Sequence, residues 1–136
     1  MALTVRRSIA VQAIVTEKLK EELKAELEEG VETTQRRIDQ MDFQSRRFLA
    51  DLQRTDLTQA MSARRQIEAE RRRQEAIVED LRKQIEEAEK LELGTEFPRG
   101  TIEGVVDINQ GDDLFKKLGG SQIVVKDGIV VEVREA

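Results

Sequence analysis

Between Gly30 and Gly94 the chain carries neither glycine nor proline, while seven of its eight glycines and its one proline, Pro98, fall at position 94 or later. Those two residue types are the strongest local interruptions of a helix. The middle of the chain is therefore free to be helical, and the last 43 residues are not. Thr16 reads as an N-cap followed by Glu17. After it, apolar residues recur at Leu19, Leu23, Leu27, Ile38, Met41, Phe48, Leu49 and Leu52. Steps of eleven link Leu19, Gly30, Met41 and Leu52, and also Leu27, Ile38 and Leu49, which suggests a nearly straight helix with little left-handed supercoil. A second stretch runs through Leu57, Ala60, Ile67, Val78, Leu81, Ile85 and Ala88 to Leu91, with heptad steps from Val78 to Ile85 and from Leu81 to Ala88. Glu68 with Arg72, Glu79 with Lys83 and Glu86 with Lys90 stand at the four-residue spacing that supports a helix.

Where the two periods join, Thr55-Asp56-Leu57-Thr58 contains capping residues, and Asp56 with Gln59 imitates a capping box. A turn near 55–57 divides residues 16–93 into arms of about 38 and 34 residues, each ~50–57 Å long at 1.5 Å per residue. Matched arms favour an antiparallel hairpin. The competing reading is one uninterrupted helix from 17 to 91.

Both ends read as strands. In 1–15, Val5, Ile9, Val11, Ala13 and Val15 alternate with Arg6, Ser8, Ala10, Gln12 and Ile14, a period of two. In 94–136, Thr101–Ile108 is a strand candidate, and Gln122–Lys126, Asp127-Gly128 and Ile129–Val133 spell a hairpin with the Asp-Gly turn that type I′ geometry favours. By alternation Val124, Ile129, Val131 and Val133 fall on one face of that hairpin, and Ile123, Val125 and Val130 on the other. Residues 112–118 read as a short helix stopped by Gly119. A helical hairpin that leaves and returns at one place unites these strands, so the expected fold is α+β: a long, coiled-coil-like antiparallel helical hairpin with a small sheet of about four strands from both termini.

The strand, the long charged helical segment, Val105-Val-Asp-Ile-Asn-Gln-Gly-Asp112 and Ile123-Val-Val-Lys-Asp-Gly-Ile-Val-Val-Glu-Val-Arg-Glu135 resemble, in that order, the YlqD family of small bacterial proteins. The segment Ala10-Val-Gln-Ala-Ile-Val-Thr-Glu-Lys-Leu-Lys-Glu21 is similar to that family's entry into its first helix, whereas the middle matches in character alone. The resemblance implies a bacterial, cytoplasmic protein and brings no activity, cofactor or catalytic residue to any position.

The chain has no Cys, His, Trp or Tyr. That excludes an imidazole base, a thiolate, a Ser-His-Asp or Cys-His nucleophile and a Cys/His zinc site. A charged fraction of 38% with 3% aromatic residues leaves little material to wall a catalytic cleft, and no enzyme is expected. Asp107, Asn109, Gly111, Asp112 and Asp113 echo a calcium loop, but glycine sits at the fifth place and Leu118 occupies the twelfth, where the bidentate Glu belongs. Turn and helix-cap duties explain the same residues, as a helix stop explains Gly119-Gly120. No metal or cofactor is expected.

Charge is segregated along the helices. Residues 17–32 hold three Lys against seven Glu, and 74–96 hold three basic against eight acidic residues. Between them, 33–73 hold six acids and ten arginines: Arg36, Arg37, Arg46, Arg47, Arg54, Arg64, Arg65, Arg71, Arg72 and Arg73. In a hairpin these arginines lie toward the turn, where their guanidinium forks could grip an acidic protein surface or RNA phosphates, or could meet acids of a second copy. The expected role is a structural or interaction module that forms a homo-oligomer and binds an unidentified protein. An RNA- or ribosome-associated factor acting through the arginines is the alternative. No segment approaches the ~18 uncharged residues of a membrane span, and a cytoplasmic location is expected.

Overall fold

Thr16 does what its sequence context predicts: its Oγ1 accepts from the Leu19 amide at 3.1 Å, and its carbonyl accepts from the Lys20 amide. The computed structural model describes residues 1–135. Its elements are β1 (Leu3–Ile14), α1 (Glu17–Thr55), α2 (Leu57–Glu89), β2 (Glu96–Ile108), α3 (Leu114–Leu118), β3 (Gln122–Lys126) and β4 (Ile129–Arg134). The class is α+β: two long helices form a hairpin, and both termini contribute to a four-stranded sheet.

Two compact units divide the chain, one made of Met1–Lys20 with Leu91–Ala136, the other of Glu21–Lys90. In the second unit the helices break at one residue. Asp56 is extended at φ −154°, and its carboxylate accepts from the Gln59 amide at 3.1 Å, so a single side chain caps α2 where α1 stops. The arms are 39 and 33 residues long. Lys24 Nζ lies 3.0 Å from Glu89 Oε1, and a Cβ added to Gly30 would sit 3.2 Å from Leu81 Cδ1, so the arms run antiparallel with Gly30 letting them approach closely. The buried stripe comprises Leu23, Thr34, Ile38, Ala60, Val78 and Ala88. Thr34 satisfies its hydroxyl on the Gly30 carbonyl at 2.9 Å.

Two members of the apolar repeats are exposed rather than buried or half-buried: Phe48 is 55% exposed and Leu57 is 64% exposed. A pair of helices buries only the narrow seam where they meet, and both side chains fall beside it. Glu79 reaches Lys83 at 3.9 Å. Among the described residues, no ion pair joins Glu68 to Arg72 or Glu86 to Lys90; Arg71 with Glu75 and Arg73 with Glu70 close instead.

In the first unit the strand order is β2-β1-β3-β4. β1 is antiparallel to β2 and parallel to β3, pairing Ile9 with Ile102 and Val11 with Ile123. The second strand starts at Glu96 rather than Thr101 and runs through Pro98. Proline is tolerated there because β2 is an outer strand, and the register shift between Val11 and Gln12 leaves Arg99 as an extra residue between Pro98 and Gly100. The Asp127-Gly128 turn has positive φ at both residues, 50° and 83°, as its type I′ signature requires. A bulge follows in β4: Val125 pairs with Val130 and Ile123 with Val133. Val133 therefore joins the Ile123, Val125 and Val130 face and leaves Val124, because the extra residue reverses the alternation. The short helix begins at Leu114, two residues later than predicted, since Asp112 accepts from the Asn109 amide and Asp113 supplies the cap by accepting from the Lys116 amide. Ala13, Val15 and Val124 form the buried centre of this unit.

Candidate interaction surface on the helical hairpin

Helical periodicity decides where the ten arginines go. Arg36, Arg47 and Arg54 share one exposed face of α1 with Phe43, at steps of seven, four and seven, opposite the buried Ile38. Phe43 is 78% exposed between them. Arg65 and Arg72 stand seven apart on an exposed face of α2 with Met61 four residues before. Arg46 is exposed on another flank of α1, and Arg64 borders a small cleft by the turn with Leu57 and Met61. Arg37 stands beside a groove of about 410 Å³ floored by Met41, Phe48 and Ile67 and edged by Gln44.

Two of the ten are engaged within the hairpin. Arg71 bridges the helices, donating through Nη1 to Asp42 and through Nε to Glu75 at 2.8 Å. Those bonds, Glu75 first and Asp42 second, hold its guanidinium above its ordinary range. Arg73 is bound to Glu70, with Nη2 2.6 Å from Oε2. Hydrogen bonds from Gln74 and then Arg73 hold the Glu70 carboxyl below its ordinary range. Among the described residues, Arg37, Arg46, Arg47, Arg54, Arg64, Arg65 and Arg72 form no salt bridge, and Arg36 reaches only Thr33 Oγ1, at 3.5 Å. The basic stretch thus extends back from Asp56 along both arms for about 30 Å at 1.5 Å per residue. It is a set of stripes rather than one cluster.

The Met41, Phe48 and Ile67 groove is not evident from the arginine pattern. Its signal is the seven-residue step from Met41 to Phe48, which sets both beside the buried row rather than in it. The carboxylates of the calcium-like segment are committed elsewhere. Asp107 accepts from Thr4 Oγ1 at 2.7 Å, Asp112 from the Asn109 amide and Asp113 from the Lys116 amide. Among the described residues, no group of three or more acidic side chains could hold a metal, and no helix is long and apolar enough to cross a membrane.

Known proteins place this architecture in a family. The chain is 29% identical over 127 residues to an uncharacterised protein of Bacillus subtilis (strain 168) named YlqD, a match covering 93% of this chain and 94% of that one. A crystal structure of a protein of unknown function from Synechococcus sp. WH 8102 superposes with a TM-score of 0.87 at 25% identity, covering 99% of this chain and 96% of that one. The family model described as YlqD protein matches residues 3–134. The chain belongs to the YlqD family.

Proposed function

We propose that this protein is a non-enzymatic interaction module whose helical hairpin docks an acidic partner protein. The observation that carries this reading is the groove floored by Met41, Phe48 and Ile67, beside Arg37, which forms no salt bridge among the described residues. An apolar pocket with a charged, exposed margin suits a partner offering one apolar anchor flanked by carboxylates. Guanidinium forks hold such carboxylates bidentately. With no His or Cys in the chain, and with Asp107 spent on a cross-strand bond, Asp112 on a turn and Asp113 on a helix cap, the side chains offer a surface rather than a reaction centre.

A second reading has its own observation. Phe43 stands exposed between Arg36 and Arg47 on one face, and a ring flanked by cations can stack a base while the arginines hold phosphates. One comparison separates the two. Tagged wild-type protein and a Met41→Ser, Phe48→Ser variant are used to recover partners from a bacterial extract, with and without nuclease. A protein recovered by the wild type despite nuclease, and lost by the variant, supports the groove. Recovery that the variant retains and nuclease abolishes overturns it in favour of RNA.

A further inference from the structure

The two outer strands of the sheet are unequal. On β2, Pro98 lacks an amide hydrogen and Arg99 is an extra residue, devices that discourage another strand from pairing with the N-terminal part of that strand, Glu96 to Gly100. β4 has no such protection at its C-terminal end: past the bulge at Val131 it runs Glu132-Val133-Arg134 with no strand on its outer side. Ile129, Val130, Val131 and Val133 are all exposed, Val133 by 65%, although each is β-branched and belongs to a paired strand. Val130 and Val133 share a face with Ile123, Val125, Val11 and Ile102, so an apolar surface runs across the sheet to this edge and stops.

The charge pattern indicates what completes it. Glu132 and Arg134 are the charged residues of β4, opposite in sign, two apart and on one face, and Arg134 already donates to Glu132 and to Glu96 of its own chain. If an antiparallel copy of β4 is laid beside it with a two-fold axis through Val133, Glu132 of each copy falls opposite Arg134 of the other, so the Glu132–Arg134 pair within each chain meets its counterpart with signs alternating across the axis, and the two Val133 side chains meet on the apolar face. A strand that complements itself in sign and in apolar face fits a second copy of this chain. We propose that two copies pair antiparallel through β4, centred on Val133, to form one eight-stranded sheet. The two-fold contact uses the β4 edge of each copy once, so the assembly closes at two.

Light scattering at micromolar concentration tests this. Wild-type protein is expected at twice 15.6 kDa and a Val133→Lys variant at 15.6 kDa, while Val105→Lys, at an equally exposed valine of β2, stays at twice 15.6 kDa. Because the chain has no cysteine, Val133→Cys gives a second readout that does not require a charge at the edge. It is expected to form an inter-chain disulfide under mild oxidation, whereas Ser62→Cys on α2 does not. A wild-type mass of 15.6 kDa overturns the proposal, as does a Val133→Lys variant that remains double. Equal dissociation by Val105→Lys also overturns it, by moving the contact off β4.

Discussion

Asp56 shows how much one side chain can decide. Its extended backbone and its bond to the Gln59 amide are what separate two helices that have no glycine or proline between them. Glu70 shows a subtler effect. Its ordinary pKa of 4.5 is lowered by bonds from Gln74 and then Arg73, so the folded chain holds fewer protons at this site than the unfolded one. Stability from this group is therefore present above pH 4.5 and is lost as pH falls through the depressed folded value. The side chain is surface-placed and screened, so the effect is small. A Glu70→Gln variant should lose less Tm than wild type on the acid side of pH 4.5 in thermal scans. Parallel curves would show that the bonds seen here contribute no pH dependence.

At the scale of elements, burial rather than periodicity ranks the helix positions. Ile38 is 1% exposed and Phe48 is 55% exposed, although both stand in the apolar repeat of α1. Ile38→Ala should cost about 2–5 kcal/mol, since a cavity opens where the helices meet, and Phe48→Ala far less despite the larger side chain. Urea midpoints at constant m-value measure both, and equal losses would mean that the groove-side ring is packed after all. This contrast marks how far the sequence could be read. The caps at Thr16 and Asp56 and the Asp127-Gly128 turn are legible because the residues that make them adjoin. The early start of β2 is not, since Pro98 and Gly100 read locally as loop and only pairing with β1 makes them strand. The face of Val133 depends on a bulge that no residue of β4 announces. Of the arginines, their number and the segment they occupy can be read directly. That Arg71 bridges to Asp42 across the hairpin, while Arg47 and Arg54 face outward, needs the helices to be packed.

For the whole molecule, the formal net charge of −5 conceals the basic stretch, and the fold keeps that stretch on one half of the hairpin. Which arginines matter for binding follows from which are already engaged. Replacing Arg71 breaks its bonds to Asp42 and Glu75, so a binding loss in that variant would be confounded with loosening of the hairpin. Replacing Arg36, Arg47, Arg54, Arg65 and Arg72 with Gln removes no salt bridge among the described residues and barely alters helix propensity. That variant should keep wild-type circular dichroism and Tm and lose retention on an anionic resin. Removing five cations would weaken any polyanion contact by net charge alone, so the comparison is a second variant with Arg6, Lys18, Lys90, Lys116 and Lys126 changed to Gln. Both variants have the same net charge, and all ten positions are exposed. Retention should fall in the first and persist in the second, with log affinity losing salt dependence by about 0.7–0.9 per phosphate-contacting arginine removed if the ligand is nucleic acid. Equal loss in both would reduce the arginine stripes to a contribution to overall charge and leave the Met41, Phe48 and Ile67 groove as the only specific feature of the hairpin surface.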